Sequence, residues 1–104
     1  RELILYMKSK RANYSAFGLY KNGNMIVKKG SIIRKHNTSP NIKEVYDRKI
    51  KNDPTLVNNN MQVLEDIVFN SASMAAQFVT DTSRNGLLYW RDKNNKKLKE
   101  IIGG

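Results

Sequence analysis

The dipeptide Asn22-Gly23 lies between two segments rich in apolar and aromatic residues, and it narrows what this chain can become more than any other feature. A two-residue hairpin loop of type I′ needs positive φ at both central positions, and Asn-Gly is one of the few pairs that meets this at low cost. Tyr14 to Lys21 and Asn24 to Lys29 therefore read as paired antiparallel strands. Residues 2–8, weakly alternating and rich in Leu, Ile and Tyr, read as a further strand.

The rest of the chain mixes short elements. Past Gly30-Ser31, Ile32-Ile33 extends the strand beyond a bulge, and Arg34 to Ser39 is a basic loop. Pro40 suits a first helical turn, and Asn41 and Glu44 have capping-box spacing. Ile42, Val45, Tyr46 and Ile50 then mark an amphipathic helix that runs to about Lys51 and stops before Asp53-Pro54. Met61 to Leu64 and Ile67 to Phe69 read as short extended pieces. Ser71 is a good N-cap for a second helix with a stripe of Met74, Ala75, Phe78 and Val79. Ser73, in its first turn, can bond another free amide, and Gly86 supplies a turn after the helix. Leu87 to Arg91 reads as a strand, Asp92 to Asn95 as a turn, and Lys97 to Ile102 as a strand or short helix. The fold class is α+β: a small antiparallel sheet built of hairpins, with two short helices packed on one face.

At 104 residues the chain is one domain, 1–104, and its opening on Arg1 reads as part of a longer protein. Without cysteine it has no disulfide, thiolate metal site or cysteine nucleophile, which suits a reducing cytoplasm. No apolar run approaches the ~20 residues of a membrane span.

The net charge of +10 is unevenly placed. Residues 1–52 hold 13 basic and 3 acidic side chains, residues 53–83 hold four acids and no base, and residues 84–104 hold 6 basic and 2 acidic. Two basic arms around an acidic centre imply a fold with a more positive side, and such a field attracts polyanions. Solubility, an acidic protein surface or an anionic membrane are the other readings of the same charge.

Catalytic groupings are missing from the pattern. His36 is the sole histidine and sits in a basic loop. Glu65 and Asp66 are adjacent, so their side chains diverge and make a poor metal pair. Asp47-Arg48-Lys49 has a nuclease-like D-x-K form but falls in an expected helix, without the strand aspartate it would need. Gly18-Leu19-Tyr20 matches half of a GIY-YIG signature by chance, and Lys29-Gly30-Ser31 lacks the upstream glycine of a phosphate loop. The expectation is a chain that is no enzyme and takes no cofactor, metal or small-molecule substrate.

Basic residues interleaved with aromatics remain. Lys21, Lys28, Lys29, Arg34 and Lys35 lie on the first hairpin and its exit. Arg84, Arg91, Lys93, Lys96 and Lys97 lie around Tyr89 in the last one. Tyr89 and Arg91 are expected on the strand face opposite Trp90, which alternates with Leu88 and reads as core. Trp90 as a base-stacking platform is the alternative. Lysine outnumbers arginine, which favours phosphate contact over base reading.

From Phe69 the chain reads Phe69-Asn70-Ser71-Ala72-Ser73-Met74-Ala75-Ala76, then Arg84-Asn85-Gly86, then Trp90-Arg91-Asp92, then Leu98. Lys29-Gly30-Ser31 stands earlier, after a strand, and Arg48 lies in the first expected helix. This pattern resembles the domain of unknown function 4357, a small bacterial accessory domain often found on the carboxy-terminal side of GIY-YIG nuclease modules. It is also similar to domains associated with adenine methylases of restriction systems. The resemblance covers essentially the whole chain. Ala72 stands for the usual proline and Met74 for an alanine, while Asp81 and Asn95 lie where glycines often end the helix and the last turn. The resemblance implies an accessory role beside a nuclease or methylase, with nucleic acid, DNA first, as partner. It makes Gly30, Ser31, Ser71, Ser73, Asn85, Gly86 and Trp90 family-motif positions of a structural kind. A protein-interaction module that docks onto an effector or subunit is the rival reading.

Overall fold

A computed structural model describes residues 2–35 and 49–103. Strands β1 (Glu2–Ser9), β2 (Tyr14–Lys21), β3 (Asn24–Val27) and β4 (Ile67–Phe69) form one antiparallel sheet in the order β1-β2-β3-β4. Helix α1 (Ala72–Thr80) follows, then the single turn α2 (Gly86–Tyr89) and the short α3 (Leu98–Ile102). This is the expected α+β class.

The β2–β3 turn forms at Asn22 and Gly23, with φ of 52° and 81°. No atom lies within 4 Å of where a Gly23 Cβ would sit, so the backbone angle alone calls for glycine. Past β3 the chain kinks at Gly30 (φ 97°) and then continues beside β2. Ser31 is fully buried there, and its hydroxyl accepts from Phe17 N–H and donates to Phe17 C=O, both at 3.1 Å. Ile32 then exchanges both main-chain bonds with Ser15 at 2.8 Å. A serine side chain thus fills the ladder position that the bulge leaves open.

Alternation sends Leu5, Met7, Ala16, Met25, Val27, Ile67 and Phe69 to one face of the sheet, and α1 packs on the β2, β3 and β4 part of that face. The buried surface of α1 is Ala72, Ala75, Ala76, Phe78 and Val79, and the Phe78 ring packs on Phe69 with centroids 5.1 Å apart and planes tilted by 38°. Burying one such phenyl ring stabilises the fold by roughly 1.5–3 kcal/mol. Small alanines let the helix axis come close to the sheet. Met74, expected in this stripe, is 43% exposed, because the row 72-75-76-79 sets the inward face and turns it away. Gly18 is tight for a similar reason: a Cβ there would lie 2.5 Å from the Met25 side chain and from the Ile26 carbonyl oxygen.

Ser71 caps α1, its hydroxyl accepting from Met74 N–H at 3.1 Å. Asp81 ends it in the left-handed region (φ 61°), a conformation that Asp tolerates almost as glycine does. Its carboxylate is buried and paired with Lys51 at 3.1 Å. Lys51 also donates to the Arg34 carbonyl and lies 5.6 Å from the Phe78 ring centre. Residues 49–51 are helical. The remainder of the helix expected from Pro40 to Lys51, with Asn41, Glu44 and Tyr46, lies outside the described residues, as do His36, Asp47 and Arg48.

The expected strand Leu87 to Arg91 does not form. Asn85 caps a helical turn instead, its side chain accepting from Leu87 N–H at 3.0 Å. Gly86 starts that turn against α1: a Cβ would lie 2.2 Å from the Ala72 carbonyl carbon, and its N–H donates to Ser73 Oγ at 2.9 Å. Gly86 is therefore needed for close approach rather than for a turn conformation. Trp90 leaves the turn extended and fully buried, and its indole N–H donates to Ala72 C=O at 3.0 Å. The final segment, left open between strand and helix, is helical at Leu98–Ile102.

Candidate nucleic-acid interface

Arg91 is the hinge of the candidate site. Its main chain exchanges two hydrogen bonds with Tyr6, extending the sheet one step beyond β1. Paired residues in an antiparallel ladder share a face, so Arg91 points to the side of Tyr6, away from Trp90 and the core. A second bridge joins Arg91 to Lys97 across the turn at Asp92 to Asn95. One Asp92 carboxylate oxygen accepts from the N–H groups of Asn94 and Lys96, both at 2.9 Å, and Asn95 adopts φ 66°.

This junction walls an open groove of about 910 Å³. Four cations line it: Lys8, Arg91, Lys93 and Lys97. Tyr6, Tyr14 and Tyr89 contribute ring surface. Asp92 is the one acid in the lining, and an oxygen of its carboxylate is already engaged by the turn. The field in the groove is positive, and its walls are partly aromatic.

Of the residues picked out by sequence, the groove gathers Tyr89, Arg91, Lys93 and Lys97. Arg84 stands outside the lining, 5.0 Å from the Tyr89 ring centre and donating to its hydroxyl at 3.2 Å. Lys96 is exposed on the turn and is not part of the wall. Arg34 and Lys35 are exposed around a separate hollow of about 380 Å³ that Arg11 also lines. Lys28 and Lys29 are held by Asp66, which pairs with Lys28 Nζ at 2.9 Å and accepts from Lys29 N–H at 2.9 Å. The Lys29 N–H, and then Lys28, hold the Asp66 carboxyl below the usual carboxylate range. Among the described residues no three His, Asp or Glu side chains converge as a metal site, and no helix is long and apolar enough to cross a membrane.

Sequence reasoning missed Lys8, Tyr6 and Tyr14. Their alternation on β1 was a signal that Lys8 and Tyr6 share a face, but nothing local marks Arg91 as their neighbour.

The open face of the sheet adds a second feature. Tyr6 stands opposite Phe17, and Ile4 opposite Leu19, on the side α1 does not cover. Tyr6 spends both its main-chain hydrogen bonds on Arg91, so the Tyr6/Phe17 pair is the narrow, non-hydrogen-bonded kind with side chains close together. One step further, Lys28 N–H donates to Phe17 C=O at 3.0 Å, which sets Lys28 beside Phe17. Arg91, Tyr6, Phe17 and Lys28 thus form one row across the sheet.

A mixed sheet-and-helix domain with a basic, partly aromatic groove is the class these features define. The chain belongs to the family described as domain of unknown function (DUF4357), whose match covers residues 5–102. No curated protein and no solved structure matches it.

Proposed function

We propose that this chain is a non-catalytic accessory domain that contacts nucleic acid, DNA first, through its phosphates. It lends affinity to an effector, such as a nuclease or restriction component, in the same chain. The observation that carries the reading is the groove in which Lys8, Arg91, Lys93 and Lys97 surround three tyrosines. Three of the four cations are lysines, point charges suited to phosphate rather than to base edges. The cysteine-free composition suits work in the cytoplasm.

The test is titration of labelled DNA at two or more salt concentrations. Four phosphate contacts predict a log–log salt slope of about −3 to −4. Absence of binding at low salt would remove the proposal.

A second reading, a module that docks on a protein, draws support from one observation. Ile4 and Val68 are 60% and 55% exposed on the open sheet face, where phosphate contact gives them nothing to do.

A further inference from the structure

We infer that the open face of the sheet takes a single strand of nucleic acid, with bases stacked on Tyr6 and Phe17 and phosphates held by the cations at either end of their row. The inference rests on the nucleic-acid reading above and sharpens it to a substrate class.

Its ground is the row itself. Tyr6 and Phe17 are directly opposed on neighbouring strands and are 44% and 37% exposed. Such exposure of two adjacent rings leaves apolar surface in water unless something covers it. Arg91 lies at one end of the pair and Lys28, which a phosphate would have to share with Asp66 at 2.9 Å, at the other, and Lys8 follows Tyr6 on the same face of β1. Neighbouring strands are about 4.8 Å apart, so the four-residue row spans roughly 14 Å. That is room for two stacked bases between flanking charges.

A duplex does not fit this surface. Its bases are stacked inside the helix, and it offers a protein phosphates and groove edges, not ring faces. Cations alone would suffice for it, and the two rings would stay uncovered. A single strand presents ring faces and phosphates together, and any base can stack, which agrees with a surface rich in lysine and poor in base-reading groups. The row also joins the two basic arms of the sequence: Lys28 comes from the first and Arg91 from the last.

The experiment uses the whole chain and a labelled DNA of roughly 12 nucleotides, alone and annealed to its complement, at about 50 and 200 mM salt. The single strand is expected to bind about tenfold or more tightly than the duplex. Phe17→Ala, which lies outside the groove, is expected to weaken single-strand binding by about 5- to 100-fold with duplex affinity and salt slope unchanged, and Tyr6→Ala is expected to weaken single-strand binding by a similar factor. Phe17→Leu keeps apolar bulk but loses the ring face, and Phe17→Tyr keeps both. Loss in the Leu variant with retention in the Tyr variant supports stacking, even should the Ala variants fold poorly. Equal binding of duplex, or indifference to all four variants, overturns the inference while leaving the groove reading standing. Failure of both DNA forms to bind at low salt removes the groove reading as well. Self-association that Phe17→Ala abolishes, with DNA binding unchanged, also overturns the inference and makes the face a protein-docking surface.

Discussion

Tyr6 donates its main-chain N–H to the Arg91 carbonyl at 2.7 Å, and Arg91 returns the bond to Tyr6 at 3.0 Å. This pair of bonds brings the two ends of the chain into one surface. It also leaves the Arg91 guanidinium free of any role in the pairing, although it reaches the Asn95 carbonyl at 3.4 Å. Arg91→Ala is therefore expected to keep stability within about 1 kcal/mol while weakening nucleic-acid binding and making the salt slope shallower by about 1. Arg91→Pro removes the N–H itself and is expected to cost about 3 kcal/mol. Urea unfolding and salt titration of both variants separate the two effects.

The buried ion pair at the end of α1 gives a stability prediction. The Lys51 and Asp81 side chains are 1% and 4% exposed, so removing one charge leaves the other buried without this ion pair. Asp81→Asn keeps a residue that tolerates the left-handed backbone and is expected to cost about 3–5 kcal/mol. Adding Lys51→Met returns part of that loss, since the double variant no longer buries an ammonium whose ion pair is gone. Chemical denaturation of the single and double variants measures the coupling.

Gly23 and Gly86 are needed for opposite reasons, and asparagine tells them apart. Gly23 needs only its positive φ, which Asn shares, so Gly23→Asn is expected to cost less than about 1 kcal/mol. Gly86 has backbone atoms of Ala72 and Ser73 within 2.2–2.5 Å of a would-be Cβ. Gly86→Asn and Gly86→Ala must push α2 off α1 and are each expected to cost about 1–3 kcal/mol or more. Thermal melts of the three variants give the comparison.

Asp66 links pH to the charge of the surface. Its carboxyl is held below the ordinary value of about 3.9, by the Lys29 N–H first and Lys28 second. A depressed folded-state pKa stabilises fully above the unfolded value, and this contribution is lost as pH falls through the lower folded one. Carboxyl titration by NMR is expected to find Asp66 protonating below that ordinary value, and Lys28→Ala is expected to move it part of the way back. At neutral pH, Asp66→Asn frees Lys28 beside Phe17. It is expected to tighten nucleic-acid binding and steepen the salt slope by about 1.

The sequence by itself determined what depends on neighbours along the chain. Asn22-Gly23 set the β2–β3 hairpin, Ser71 set the start of α1, and strand alternation decided which side chains of β1 to β3 go inward. The order of motif pieces from Phe69 to Leu98 also sufficed to place the family. Leu87 to Arg91 misled because alternating Leu, Tyr and Trp look like a strand, whereas a single helical turn is too short to show a period. Trp90 is in the core as the sequence indicates, but only contact with Ala72 and Ser73, through Gly86, made the segment before it helical. Tertiary structure alone put Arg91 beside Tyr6 and Lys28 opposite Asp66. Main-chain hydrogen bonds and strand register make those choices, and neither leaves a mark in the side chains that a sequence displays.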